Sequence, residues 1–318
     1  MKALRIGDAG ELAIVDVPKP KPKPKEALVR ILAAGLNRAD VSQRRGKYQA
    51  PPDAPADIPG LEFAGVIEEA ATRLQPGQRV FGLTGGGAQA EYIAIPEDLL
   101  LAVPDGISDI EAGAIPEAYV TVHDALFTQA ALQRGERLLV HAVASGVGLA
   151  ALQVAKAFGC EVYGTSRSPE KLERVRSMGV DLACGPDEFE QRIGSATHGE
   201  GVNVILDPVG GAYFKSNCKV LATCGRLVIL STMGGSNVEM SLALLMTKRL
   251  RVFGTMLRNR SLEEKTAAMR AFARDLMPLV ESGQLKPVIA ATYPLERATE
   301  AYEMMERNRN VGKIVLVL

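Results

Sequence analysis

The chain has 318 residues, 37 basic and 37 acidic side chains, and 47% apolar and 23% charged residues. That is enough chain for one large or two medium domains, and a net charge of zero gives no general pull toward nucleic acid or an anionic membrane. No apolar run approaches the roughly 20 residues that span a bilayer, and the opening MKALRIGDAGELAI lacks a secretory pattern, so a cytoplasmic protein is expected. The four cysteines, Cys160, Cys184, Cys218 and Cys224, form no CxxC or Cys/His cluster and read as buried reduced thiols.

Residues 1–100 read as short strands punctuated by Gly and Pro. KALRI and LAIVDV flank the turn GDAG, and ALVRIL, FAGVIEE, RVFGL and AEYIAIP follow. PKPKPKPKE (18–26) reads as a solvated, extended connector. NRADVSQRRG reads as a short helix with Asn37 as its cap and Tyr48 just beyond it.

From about residue 120 strands and helices alternate, which implies a parallel sheet covered on both faces. The strands are RLLVHA (137–142), EVYGTS (161–166), DLAC (181–184), NVILD (203–207), RLVIL (226–230) and RVFGTM (251–256). In the first helix Val147, Ala151, Val154 and Phe158 share one side at helical spacing; the second opens with Ser168 as cap and Pro169 in its first turn. A helix is expected near 261–282, and the chain closes on the strand KIVLVL.

HAVASGVG (141–148) lies where a strand hands over to a helix, yet only one of three glycines of G-x-G-x-x-G is present. With Gly148 as the third, Ser145 takes the second position and Val143 the first. Ser145 is small and its hydroxyl can donate to phosphate, whereas Val143 is a real departure, so the stretch alone reads either as a pyrophosphate turn or as a plain corner. The next strand ends in Ser166-Arg167-Ser168, with Lys171 one turn on, where an NAD enzyme has an acid. Arg and Lys there suit the 2′-phosphate of NADPH, the alternative being ordinary surface charge. None of the three histidines has a compelling claim as general acid; His141, ending a buried strand, reads as a satisfied core histidine.

LNRADVSQRRGKY (36–48), GLEFAGVI (60–67), GGGAQAEY (85–92), IPEAYVT (115–121), HAVASGVG, GVNVILDPVGG (201–211), MLRNR (256–260) and NVGKIVLVL (310–318) together resemble the zinc-independent quinone oxidoreductases of the medium-chain dehydrogenase/reductase superfamily. Within it they look most like the tumour-suppressor-inducible branch. The resemblance implies an α/β fold: a Rossmann doubly wound parallel sheet over 118–282, and a GroES-like β-rich catalytic domain formed by 1–117 and completed by 283–318. It also implies a homodimer through Rossmann edge strands. Zinc-dependent relatives place Cys and His where this chain has Asn37 to Asp40 and Gly60 to Glu62, so no metal is expected.

Carried over by position, the resemblance sets Ser145, Gly146 and Val147 along the pyrophosphate of NADPH, and Ser166, Arg167 and Lys171 at the 2′-phosphate. Thr121, Leu230, Met233, Gly234, Met256, Leu257 and Arg258 would approach the nicotinamide, and Asn37 and Tyr48 the substrate. A family tyrosine near the adenosine phosphate has no counterpart in DLACGPDEF, a loss for which Arg167 is expected to compensate. The implied activity is hydride transfer to a quinone or conjugated carbonyl, with the proton from Tyr48 or from water. Asn37 would bond the substrate carbonyl or only cap its helix; Tyr48 in its plainer role would pack over the nicotinamide. Two alternatives remain, a 2-enoyl thioester reductase and a nucleotide-binding crystallin-like or RNA-binding protein, the latter disfavoured by the neutral charge.

Overall fold

The computed structural model describes residues 1–318. Its strands are β1 (Lys2–Ile6), β2 (Leu12–Asp16), β3 (Glu26–Leu36), β4 (Glu62–Glu69), β5 (Arg79–Leu83), β6 (Tyr92–Pro96) and β7 (Leu100–Ala102), followed by β8 (Arg137–Val140), β9 (Glu161–Thr165), β10 (Leu182–Cys184), β11 (Val202–Asp207), β12 (Leu221–Ile229) and β13 (Arg251–Gly254). β14 (Ile289–Pro294) and β15 (Lys313–Val317) close the chain. The residues divide into two compact units, Met1–Val120 with Leu257–Leu318, and Thr121–Met256.

In the first unit β1 and β2 form an antiparallel ribbon, and the main sheet runs β14-β15-β3-β4-β5-β7, with β6 also paired to β3. β3 is the hub: 11 residues long, it pairs antiparallel with β15, β4 and β6 and shifts register twice against β4. Such a strand is buried on both faces, which explains the near-continuous apolar run ALVRILAAGL. Leu36, Val41, Leu295, Tyr302, Ile314 and Leu316 build one core of this unit.

The second unit carries six parallel strands in the order β10-β9-β8-β11-β12-β13. Numbered within the unit this is 3-2-1-4-5-6, the dinucleotide-binding order, whose switch point falls between its first and fourth strands. The helix Gly146–Ala157 buries Gly148 through Leu152 together with Val154 and Ala155, more of its circumference than the single stripe expected. Gly and Ala let it lie close on the sheet, and close approach leaves little side to expose.

Two expectations change, and one strand forms where none was expected. Residues 257–282, assigned from the sequence to the cofactor unit, belong to the first unit. The reason is packing: Phe272, in the helix Leu262–Asp275, meets Phe81 of β5 edge-on at 6.5 Å. Cys224 is exposed, unlike the other three cysteines, because β12 turns through a left-handed φ of +62° at that residue. β14, which is Ala-rich and ends on Pro294, gives no strand signal; it forms by parallel pairing to β15 alone. Phe272→Ala is expected to cost about 3–5 kcal/mol, against under about 0.5 kcal/mol for Leu262→Ala on the exposed face, as read by urea unfolding of the full chain.

Candidate active site

At residue 145 the second unit turns from strand to helix. Ser145 holds the cap position, and its hydroxyl oxygen accepts the Gly148 N–H at 3.0 Å. The backbone N–H groups of Gly146 and Val147 belong to the first helical turn and have no partner within the helix. Ser145, Gly146 and Val147 are all partly exposed, so this N-terminus offers donors and a positive dipole end to an anion.

Val143, the apparent defect of the motif, faces away from that cradle. It is wholly buried, and a Cβ on Gly164 of β9 would meet its Cβ and both its methyls within 2.9 Å. Valine thus fills the space beside the turn, and Gly164 of the adjacent strand makes room for it. The left-handed step of the turn falls on Ala142, at φ +50°, one residue before the position the motif marks. Gly148 keeps its motif role: a Cβ there would lie 2.5 Å from the Val143 carbonyl.

Beneath the turn lies the switch point. His141 is fully buried; Nδ1 pairs with Thr165 Oγ1 at 2.8 Å and Nε2 with Asn217 Oδ1 at 2.7 Å. Asn217 donates to Asp207 Oδ2 at 2.8 Å, while Asp207 Oδ1 accepts the Val209 and Gly210 N–H groups. Burial pushes the imidazole pKa down, so His141 is neutral and satisfied, as the sequence implies. This chain of bonds ties the ends of β8, β9 and β11 together.

At the end of β9 Arg167 is exposed and its guanidinium bonds to nothing in the chain. Ser166 and Lys171 flank it, Ser168 capping the next helix through the Lys171 N–H. Tyr213, whose ring lies 4.8 Å from that of His141, feels the charge of Arg167. Leu230 and Gly234 lie on a loop fastened to the 207–211 turn, Leu230 N–H to Asp207 and Gly234 N–H to Val209. Thr121 is partly exposed, while Met233 and Met256 are exposed at 53% and 46%.

The first unit gathers Asn37 and Tyr48 with residues the sequence did not single out. Glu62 of β4 is fully buried, and the Lys313 ammonium of β15 donates to it and, at 2.6 Å, to Asn37 Oδ1. Asn37 Nδ2 donates to Glu62 Oε1 at 2.9 Å, and Glu62 Oε2 accepts the Glu117 N–H, also at 2.9 Å. Only Gly35 makes room for that carboxylate: a Cβ there would lie 2.2 Å from Glu62 Oε1. Asp40 accepts the Asn37 and Gly60 N–H groups, and burial lifts its pKa to about 6. The Asn37 amide is therefore spent on this network, and Asp40 rather than the Asn37 side chain closes the helix start.

Arg258 and Leu257 are buried. The Arg258 guanidinium donates to Gly85 O at 2.7 Å, Tyr48 O at 3.3 Å and Gln43 Oε1 at 2.6 Å, and stacks 4.7 Å over the Tyr48 ring. Its donors go to protein, which makes it a brace for Tyr48 rather than a free cation. Burial foremost, aided by the charge of Glu117, raises the Tyr48 phenol to about 12.

Residues 23–105 match the alcohol dehydrogenase GroES-like domain, and residues 146–274 match the zinc-binding dehydrogenase family. The chain is 30% identical to the quinone oxidoreductase of Rattus norvegicus over all of its own length and 98% of that relative. It belongs to the quinone oxidoreductase family of the medium-chain dehydrogenase/reductase superfamily. Among solved structures, the quinone oxidoreductase from Thermus thermophilus, also determined with NADPH, is 32% identical, covers both chains fully and superposes with a TM-score of 0.85. The CurK enoyl reductase is 27% identical, with a TM-score of 0.87 over 99% of this chain and 98% of that one.

As a member of this family the protein has an α/β fold with a Rossmann-like parallel sheet and a GroES-like domain. No group of three or more His, Cys, Asp or Glu side chains is arranged to hold a metal ion, and no helix is long and apolar enough to cross a membrane. Lys313→Met is expected to cost about 3–5 kcal/mol, because it leaves the buried Glu62 carboxylate without its cation; thermal unfolding checks this.

Proposed function

We propose that this protein is an NADPH-dependent, zinc-independent quinone oxidoreductase that reduces a quinone or a conjugated carbonyl. The observation that carries the cofactor assignment is the exposed, unbonded Arg167 just past the end of β9, the strand that follows the Ser145-capped helix, with Lys171 in the next helix. An acid at that position would repel a 2′-phosphate, whereas guanidinium and ammonium attract one. Bound there, NADPH supplies a hydride, that is, two electrons and one proton.

The protein's own residues divide the remaining work. Gly146 and Val147 offer N–H groups to pyrophosphate, and Ser145 keeps its hydroxyl proton free for the same oxygens. Thr121, Leu230, Met233, Gly234, Met256 and Leu257 are assigned to the nicotinamide side. Arg258 holds Tyr48, and Tyr48 presents a hydroxyl that bonds to nothing in the chain. The carboxylates of Asp40 and Glu62 are taken up by N–H donors and Lys313, which supports reduction without a metal. Activated acceptors such as quinones and enones suit that chemistry.

A second reading, 2-enoyl thioester reduction, is favoured by enoyl reductase neighbours at TM-scores of 0.87. Paired titrations with NADPH and NADH, followed by NADPH oxidation with an ortho-quinone and an enoyl thioester, decide between them. Preference for NADPH with quinone turnover is expected; turnover of the thioester alone selects the second reading. Arg167→Ala should weaken NADPH binding by roughly ten- to a hundredfold, the loss of one charge-assisted contact, and leave NADH binding unchanged.

We also infer a homodimer in a reducing, cytoplasmic setting, in keeping with four free cysteines. β13 is an edge strand paired only to β12. The segment that leads into it exposes Met240, Leu242 and Met246 at 40–74%, and the helix Leu242–Lys248 buries none of its residues. An apolar edge of this kind is covered by a second copy pairing strand to strand across a two-fold axis. Light scattering should give about twice 33.9 kDa for the wild type, and near 33.9 kDa for the Leu242→Glu, Met246→Glu double variant.

A further inference from the structure

We propose that Glu117 is the proton donor of the reduction, resting on the reading of this protein as a hydride-transferring reductase. Glu117 lies in the π-helical turn Pro116–Val120, packed against β5 and the helix Leu262–Asp275, and its backbone N–H is fixed to Glu62. That bond anchors the main chain and leaves the side chain out of it. The carboxyl makes no hydrogen bond within the chain and the residue keeps only partial access to solvent, whereas the carboxylates around it are engaged. It is also the charge that acts most strongly on the Tyr48 phenol. The unengaged carboxyl thus acts by its charge on the one hydroxyl of the cluster that is equally unengaged.

The groups that face it are Glu62 from β4, Lys313 from β15, Asp40 from the helix Arg38–Arg44, Arg258 and Tyr48. Burial first, then the neighbouring Glu62, lifts the Glu117 carboxyl to about 8, with Lys313 and Arg258 pulling the other way. Glu117 therefore carries its proton at neutral pH. Tyr48, lifted to about 12, holds its proton more tightly and is the poorer donor.

A quinone that has accepted a hydride bears one negative oxygen. The O–H bond of Glu117 breaks as an O–H bond forms on that oxygen, directly or through the Tyr48 hydroxyl, which gives up one proton and receives another. The hydroquinone leaves, and the Glu117 carboxylate takes back a proton from water. With an enone the same proton completes the enolate.

The test compares wild type with Glu117→Gln and Glu117→Asp. Difference infrared spectroscopy of wild type minus Glu117→Gln should show a protonated carboxyl band at neutral pH that disappears on titration through about pH 8. A folded-state pKa raised above the unfolded one makes ionisation destabilising. The melting temperature of Glu117→Gln should therefore draw ahead of wild type between about pH 5 and pH 8 and keep a constant lead above. With an ortho-quinone, wild-type kcat should fall above about pH 8. Glu117→Gln should lose roughly a hundredfold with a flat profile and unchanged NADPH affinity, and Glu117→Asp should regain part of the rate. A missing carboxyl band, or a Glu117→Gln profile that follows an active wild type, overturns the assignment of Glu117 alone. A wild type that binds NADPH but reduces neither acceptor overturns the functional reading, and the donor role with it.

Discussion

The first unit is organised around a lysine and a glutamate that have both left water. Moving two opposite charges into a low-dielectric interior is tolerable only when every remaining polar valence is met. Lys313 and Glu62 meet that condition through Asn37 and the Glu117 backbone. The requirement reaches into the surrounding chain: residue 35 must lack a side chain, and β3, β4 and β15 must stay in register to bring the three partners together. Specificity of placement, more than stability, is what such a buried pair contributes.

The second unit solves a different problem, holding a loop firmly enough to receive an anion. The His141–Asn217–Asp207 chain joins three parallel strands at the point where their order reverses, and Asp207 then grips the 209–210 turn. The imidazole stays neutral because burial disfavours the charged ring more than the nearby Asp207 favours it. The tied strand ends leave anion binding to groups that reach solvent, the partly exposed Ser145 and the exposed Arg167.

How much of this was legible in the chain depends on distance along it. Alternating strand and helix signals gave the parallel sheet, and the Ser168-Pro169 helix start and the buried His141 were readable because their cues are local. The Glu62 cluster was not: Lys313 lies 251 residues and Glu117 55 residues from Glu62, and no spacing rule links them. IPEAYVT carries the family resemblance, yet nothing in seven letters shows that its glutamate joins the Glu62 cluster. The family resemblance sets Arg258 near the nicotinamide; that its guanidinium bonds to Gly85, Tyr48 and Gln43, 173 to 215 residues away, no cue in MLRNR reveals.

The exchange between Val143 and Gly164 has a consequence for how such turns are recognised. What this turn needs is a small residue on one side of the gap between it and its neighbouring strand, and in this chain β9 supplies it. Residues 143 and 164 should then vary as a complementary pair across relatives, large against small. A fingerprint written as glycines at set intervals scores one wall of that gap and overlooks the other, so it will pass over true nucleotide sites in which the small residue has changed sides.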